Sequence, residues 1–203
     1  MAEPSSTPAR RPSKKRDAIV EAARALFCSE GYPGTSMDAV AAGAGVSKAT
    51  LYAHFPSKAD LFQEVISTIA APYVRVSSEV LELPVADGLR VLGRSFLDLI
   101  LSPQAVGSYR VLVAQGTQFP EMVETYMVSG PRPVIGALAA YLAQQHQRGT
   151  LRVPDPPLAA SLFLHMVKGE VHGHVLMGLP FPDTDLDRVL DEAVRIMLAA
   201  YAP

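Results

Sequence analysis

The sequence has neither tryptophan nor asparagine, and only one cysteine among its 203 residues. The single cysteine, Cys28, excludes a disulfide within the chain, as is usual in the reducing cytoplasm. Because Cys28 lies among apolar residues at helical spacing, we expect a packed thiol, with a redox sensor as the alternative. The charged N-terminal segment lacks the apolar run of a signal peptide, and no apolar stretch is long enough to span a bilayer. These absences predict a cytoplasmic protein with no membrane partner.

Alternation of apolar and polar residues, the pattern of a β-strand, is also missing over any useful length, and no internal repeat occurs. Hydrophobic residues make up 49% of the chain but aromatic residues only 7%. Alanine, leucine and valine dominate, which favours helices over β-sandwiches. Because apolar residues recur at helical spacing instead, we predict an all-α fold of about nine helices.

Turn and capping signals give the expected limits of the first helices. The first helix should run from Ser13 to Gly31, where glycine ends it. Thr35 should cap the second helix, and Ser47 and Ser57 should cap the third and the fourth.

The remaining chain should be helical as well. The fourth helix is expected to run from Lys58 towards Val80, with a kink at Pro72. Further amphipathic stretches are expected over residues 86–101, 104–117, 120–147, 156–178 and 185–201. The longest of them should bend or split at Pro131 and Pro133.

Charge is distributed unevenly although the net charge is only −2. Residues 1–60 carry eight Lys or Arg and six Asp or Glu, whereas residues 61–203 carry ten and fourteen. A basic end before an acidic remainder favours a polyanionic partner, although a tail that only aids solubility is the alternative. The basic residues of this N-terminal arm that we predict to contact the polyanion are Arg10, Arg11, Lys14, Lys15 and Arg16.

Two short helices joined by a glycine-containing turn follow the first helix. Gly45 allows the chain to turn between them, and Val46 and Leu51 can hold the third helix against a core. Two such helices inside a three-helix unit with a basic edge are typical of a helix-turn-helix.

The residue order in this segment is more specific than its shape. Residues 44–47 read Ala-Gly-Val-Ser, residues 50–52 read Thr-Leu-Tyr, residues 54–55 read His-Phe, and Lys58 opens the next helix. This resembles the signature of TetR-family transcriptional regulators, in which the same pieces occur in this order and at this spacing. The resemblance covers residues 14–65, and the C-terminal half is similar to the AefR-like group of the family.

The resemblance implies three parts and a set of DNA contacts. Residues 1–12 would be a disordered basic arm, residues 13–60 the helix-turn-helix domain, and residues 61–203 the effector-binding and dimerisation domain. Lys48, at the start of the third helix, could reach base edges in the major groove, while a packed or capping role is the alternative for His54. The predicted DNA contacts are Thr35, Ser36, Ser47, Lys48, Thr50, Tyr52, His54 and Lys58.

The C-terminal half would hold both the dimer interface and the effector pocket. By the resemblance, the last two long helices pair with those of a partner. The predicted interface residues are Leu162, Val167, Leu190, Val194, Met197 and Tyr201. A lipophilic small molecule would lie among residues 86–147 and the inner face of 156–178. Its predicted lining is Phe96, Ile100, Met122, Tyr126, Tyr141, Phe163 and Met166. For both sets, an ordinary core within the chain is the alternative.

A cluster of histidines raises the question of a metal. The residues concerned are His165, Glu170, His172 and His174. They fall on two helical faces, and no nearby Cys or Asp completes either set, so we predict no metal or cofactor. A place at the pocket rim or at the dimer seam is expected instead. No nucleophile elbow, P-loop, dinucleotide fingerprint or zincin motif occurs, so an enzyme is not expected.

These features predict a homodimeric repressor that binds double-stranded DNA at a palindromic operator and is released by a lipophilic effector. One alternative is an activator, or a DNA binder that responds to no ligand. A more distant alternative is a helical carrier of small molecules, or an enzyme, that uses the C-terminal pocket.

Overall fold

The computed structural model describes residues 14–180 and 185–203, and within them every regular element is a helix. The prediction of an all-α fold is therefore confirmed. Arg10, Arg11 and the rest of the expected arm at residues 1–12 lie outside the described residues. No helix in the described part of the chain combines the length and the apolar character that a membrane span requires.

The N-terminal helices are α1 (Lys14–Gly34), α2 (Met37–Gly43), α3 (Lys48–His54) and α4 (Lys58–Ala70). A short 3₁₀ turn at Ala71–Tyr73 follows. The C-terminal helices are α5 (Ser78–Glu82), α6 (Val85–Leu101), α7 (Pro103–Gln115), α8 (Pro120–Ser129), α9 (Pro131–Gln147), α10 (Pro156–Lys168), α11 (Val171–Met177) and α12 (Leu186–Ala200).

The described residues thus contain more helices than the expected nine, because proline and glycine divide three of the predicted stretches. The fourth helix ends at Ala70 rather than near Val80, since Pro72 starts the 3₁₀ turn. α8 ends at Ser129 and α9 begins at Pro131, so the stretch 120–147 splits at this proline, as predicted. Gly169, with a φ of 49°, separates α10 from α11.

Serine side chains cap three of the N-terminal helices. The hydroxyls of Ser47 and Ser57 accept hydrogen bonds from backbone N–H groups at the starts of α3 and α4, as the sequence predicts. The cap of α2 is Ser36 and not Thr35. Thr35 is buried instead, and its hydroxyl donates to the Gly31 carbonyl oxygen at 2.8 Å.

Gly31 bends α1 near its C-terminal end. Its φ of 76° and ψ of 171° are not helical, so the continuous helix stops where the sequence predicts. Beyond the bend, the Tyr32 N–H donates to Oε1 of Gln115, on α7, at 2.9 Å. The bend therefore joins the N-terminal helices to the C-terminal ones.

An N-terminal core binds α1 to α4 together. The rings of Phe27, Tyr32 and Phe62 lie within 5.7 Å of one another. Leu61 and Phe62 belong to this core, and so do Leu112 of α7 and Met122 of α8. The domain boundary expected after residue 60 consequently falls inside α4, whose buried side chains pack with the N-terminal helices.

A second core lies among α6, α9, α10 and α12. Leu97, Leu142, Phe163 and Val194 are each no more than 1% exposed there.

Cys28, which we expected to be packed, is exposed on α1. Arg16, expected to act in the DNA-binding arm, pairs with Glu64 of α4 at 2.5 Å.

Candidate DNA-binding surface and effector pocket

The turn between α2 and α3 has the hydrogen bonds of a compact helix-turn-helix. The Val46 N–H donates to the Ala41 carbonyl at 3.0 Å, and Gly45 adopts a φ of 64°. Val40 and Leu51 are fully buried, so one side of each helix packs inward. The opposite side of α3 therefore faces away from the core.

Lys48 and Tyr52 form the outward face of α3. They are four residues apart and therefore lie on the same side of the helix. The side chain of Lys48 is 66% exposed, and Tyr52 is 48% exposed. The Lys48 ammonium pairs with Asp38 of α2 at 2.6 Å, which raises its pKa through this hydrogen bond. Exposed pairs of this kind are weak, so Lys48 can exchange Asp38 for DNA at little cost.

Thr50 and His54 do not share this face. They are also four residues apart, but helical geometry puts them on another side of α3, and both are half-buried. The Thr50 hydroxyl lies 2.9 Å from that of Ser47, within the cap of α3. Nδ1 of His54 is buried without a hydrogen-bond partner. The structure thus separates Thr50 and His54 from Lys48 and Tyr52. Ser36 and Ser47, which were also predicted to contact DNA, are exposed.

Lys58, which is predicted to hold a phosphate, binds the bent end of α1 in this structure. Its ammonium donates to the carbonyl oxygens of Tyr32 at 2.8 Å and Thr35 at 3.0 Å. It also lies 4.7 Å from the centre of the Tyr32 ring. Burial lowers the pKa of Lys58. These contacts form because the carbonyls at the bend need a hydrogen-bond donor, and Lys58 supplies it.

Replacing Lys58 with methionine is therefore expected to lower the free energy of unfolding by about 1–2 kcal/mol, because hydrogen bonds from a charged donor are lost. Urea titration followed by circular dichroism measures this. The matched control is Lys48→Met, which removes only an exposed ion pair and should leave stability unchanged. Equal stability of the two variants would contradict the role given to Lys58.

The three basic residues at the start of α1 also differ in whether they are exposed or engaged by other parts of the chain. Lys14 and Lys15 are exposed and remain candidates for DNA contact. Arg16 is engaged by Glu64, and its guanidinium lies 5.1 Å from the centre of the Phe55 ring. Arg16 thus joins α1 to α4 rather than extending the arm.

A cavity of about 240 Å³ lies between α4 and the C-terminal helices. Its walls are mainly apolar, and its size is near the lower limit of small-molecule sites. The lining residues are Ile66, Ile69, Ala70, Phe96, Leu99, Ile100, Ala105, Ser108, Tyr109, Tyr126, Met127, Gly130, Pro131, Val134, Ile135, Leu164, His165, Lys168 and His172.

Three of the seven predicted lining residues lie in this wall: Phe96, Ile100 and Tyr126. The other four do not. Met122 is buried in the N-terminal core, while Tyr141 and Phe163 are buried in the second core and Met166 packs against it. The error arises because helical periodicity marks every inward residue and cannot separate a cavity wall from solid core.

One end of the pocket carries polar groups, of which Tyr109 and Lys168 were not predicted from the sequence. We call Tyr109, Tyr126, Lys168 and His172 the polar end. The Tyr109 ring lies 6.1 Å from Tyr126, 5.2 Å from His172 and 5.6 Å from the Lys168 ammonium. Lys168, which is the one Lys, Arg, Asp or Glu residue in the stretch 156–168, is the sequence signal that could have indicated it.

Burial favours the neutral forms of two groups at this polar end. It lowers the pKa of His172 to about 4, with help from the neighbouring Lys168 charge. It raises the pKa of Tyr126 to about 12. Both groups are therefore neutral at neutral pH, and each can offer a hydrogen to a ligand.

The histidine cluster is divided by the structure. His165 and His172 line the pocket, whereas His174 does not. Within residues 14–180 and 185–203, no three His, Cys, Asp or Glu residues come together as a metal site would require.

Most of the predicted dimer residues are covered by their own chain. Val167, Leu190, Val194 and Met197 are at most 4% exposed, so they belong to the second core. Tyr201 is half-buried against the same core. Leu162 alone of the predicted set is well exposed, at 50%. Periodicity thus identified buried faces of α10 and α12, which within this chain pack in the second core.

Exposed apolar side chains also occur on these two helices. Leu158 and Leu162 are four residues apart on α10 and are 54% and 50% exposed, and Ile196 on α12 is 39% exposed. We refer to these three residues as the outer face.

Comparisons with known proteins agree with this geometry. Residues 19–65 match the family model of bacterial regulatory proteins of the tetR family. Residues 87–203 match the C-terminal domain of AefR-like transcriptional repressors. Members of this family are transcriptional regulators and not enzymes.

Solved structures give the same assignment over nearly the whole chain. A protein of this family from Mesorhizobium loti is 28% identical, with 96% of this chain and 100% of that chain covered and a TM-score of 0.78. The flavonoid-responsive regulator FrrA is 32% identical, with 94% and 98% covered and a TM-score of 0.77. SmeT of Stenotrophomonas maltophilia, in complex with triclosan, is 22% identical, with 94% and 93% covered and a TM-score of 0.71, which shows the fold alone. The chain therefore belongs to the TetR family and is a DNA-binding transcriptional regulator.

Proposed function

We propose that the chain is a cytoplasmic homodimeric repressor that occupies a palindromic operator and leaves it when a lipophilic small molecule fills the pocket. The observation that carries this proposal is the position of α4. Lys58, at its first turn, binds the end of α1, while Ile66, Ile69 and Ala70 line the pocket. A helix of 13 residues, about 19 Å long, thus connects the ligand site with the DNA-binding helices.

A second connection runs through α7. Ser108 and Tyr109 line the pocket, and Gln115 at the end of the same helix accepts the hydrogen bond from Tyr32 at the bend of α1. A ligand that displaces α4 or α7 therefore changes the orientation of α3. Because a ligand shifts an equilibrium only through its different affinities for two states, the pocket must be better filled in the state that does not bind DNA.

Two relatives support a small molecule in this role. FrrA is described as responsive to flavonoids, and SmeT is described in complex with triclosan. The pocket of this chain, mainly apolar and lined by Phe96, Ile100 and Tyr126, suits a lipophilic molecule of similar kind.

Dimerisation is needed because one helix-turn-helix reads only a short half-site. In a twofold dimer, the same surface of each copy meets itself, so an exposed and self-complementary apolar face is the natural interface. The outer face of α10 and α12 meets this requirement, whereas the buried residues around Val194 do not. We therefore assign the interface to Leu158, Leu162 and Ile196.

Leu162→Glu is expected to weaken the dimer by at least about tenfold, since twofold symmetry would bury two unpaired carboxylates. Sedimentation velocity over a concentration series measures the dissociation. Val113→Glu is the matched control, because Val113 is 68% exposed on α7, away from the outer face. A Leu162→Glu protein as dimeric as the control would overturn this interface.

The sign of regulation is tested in the cell. Deleting the gene is expected to raise transcription of the genes that adjoin it, measured by quantitative reverse transcription. A fall in their transcription would identify an activator and contradict the proposed repression.

A further inference from the structure

The only fully charged side chain on the described pocket wall is a cation. Lys168 lies there as the last residue of α10, and no aspartate or glutamate is among the lining residues. The cavity is therefore mainly apolar, with one positive charge at one end. Such a site selects ligands by their charge as well as by their hydrophobicity.

Lys168 has no anionic partner among residues 14–180 and 185–203. Two lysines of the DNA-binding half differ from it: Lys48 pairs with Asp38, and Lys58 binds three backbone carbonyls. The neighbour of the Lys168 ammonium is the Tyr109 ring, 5.6 Å away. Burial lowers the pKa of Lys168, because its charged form loses hydration there. An anionic ligand would supply the missing partner.

Two neutral donors lie beside this cation. His172 is 5% exposed and packs edge to face on Tyr109, and Tyr126 packs on the same ring. Both side chains line the pocket. Since each can offer a hydrogen without adding a positive charge, they can complete the binding of an anionic oxygen that Lys168 attracts.

Other ligand charges fit less well. A cationic ligand would meet the Lys168 ammonium with no carboxylate on the wall to compensate it. A neutral ligand would leave Lys168 partly desolvated and without an ion pair to any residue that the structure describes. An apolar molecule with one negative group matches both the apolar wall and the charged end.

We propose that the pocket binds a small apolar molecule that carries one anionic oxygen group, a carboxylate or an ionised phenol, which pairs with the Lys168 ammonium. The apolar body lies towards Phe96 and Ile100, and the anionic oxygen lies at the polar end. This inference rests on the proposed function, because it names the chemical class of the effector.

The test compares matched charged and neutral probes by isothermal titration calorimetry on the full chain. Naphthalene-2-carboxylate is compared with naphthalene-2-carboxamide, and 2,4-dinitrophenolate with 2,4-dinitroanisole, so that the two pairs distinguish a carboxylate from a phenolate. The wild-type chain should bind at least one anion about tenfold more tightly than its neutral analogue. Lys168→Arg should keep this preference, and Lys168→Met should lose it.

Two results would overturn the proposal: no preference for either anion in the wild type, or a preference that persists undiminished in Lys168→Met. A gel shift on the DNA that flanks the gene is run with the same proteins. A chain that binds this DNA but prefers the neutral probes would contradict the ligand class and leave the repressor intact. A chain that prefers the anions but binds no DNA would contradict the proposed function alone.

Discussion

The double variant Lys48→Ala, Tyr52→Ala is expected to lose at least about 100-fold in operator affinity at fixed salt. The two side chains form the outward face of α3, and the proposed dimer would present this face to both half-sites. Each substitution therefore removes a contact twice in the complex. A gel shift or fluorescence anisotropy with labelled operator measures the loss.

The matched control for this variant is Arg132→Ala. Arg132 on α9 is 55% exposed and pairs with Glu124, just as Lys48 is 66% exposed and pairs with Asp38. The control removes the same kind of surface charge far from α3 and should leave the affinity unchanged. Unaltered binding by the double variant would mean that α3 does not read the operator through this face.

Gly31→Ala is expected to lower the free energy of unfolding by about 2–4 kcal/mol. The φ of 76° and ψ of 171° at Gly31 lie in a region that only glycine adopts readily, which costs other residues about 1–3 kcal/mol. An added Cβ would also lie 2.2 Å from Nε2 of Gln115, so the hydrogen bond from Tyr32 to Gln115 would be disturbed. Urea denaturation monitored by circular dichroism gives the change.

Gly149→Ala separates the two causes. Gly149 has a similar φ of 72°, but a Cβ there would meet nothing within 4 Å. We expect Gly149→Ala to be the milder change, and adding Gln115→Ala to Gly31→Ala should recover only the part that is due to the clash. If Gly31→Ala were no more damaging than Gly149→Ala, the close approach of α7 to the bend of α1 would be disproved.

Local signals in the sequence predicted local structure well. Ser47 and Ser57 cap helices in the structure because an N-cap depends on residues within one turn of it. Pro131 begins a new helix for the same local reason. The helix-turn-helix was recognisable because its motif lies within a short, continuous segment.

Contacts between residues distant in the sequence were predicted less accurately. Val194 and Met197 have the periodicity of an apolar face, but the sequence does not say whether the same chain or a partner covers it. Lys58 was expected to bind phosphate because the sequence does not show that the end of α1 bends back to meet it. Thr50 and His54 were grouped with Lys48 and Tyr52, although helical geometry alone separates the two pairs.

The pocket illustrates the same limit. Tyr126 was predicted correctly, but Lys168 was overlooked because its environment is assembled from α7, α8, α10 and α11. Nothing near Lys168 in the sequence marks Tyr109 as its neighbour. The polar end of the pocket is therefore a property of the folded chain.

The most direct test of the account is a footprint of the purified protein on the DNA that flanks its own gene, with and without ligand. We expect a protected site with twofold symmetry that overlaps a promoter, and loss of this protection when an effector binds. A protected site without symmetry, or the absence of any protected site at a concentration where the protein is dimeric, would contradict a dimeric repressor that reads its operator through α3.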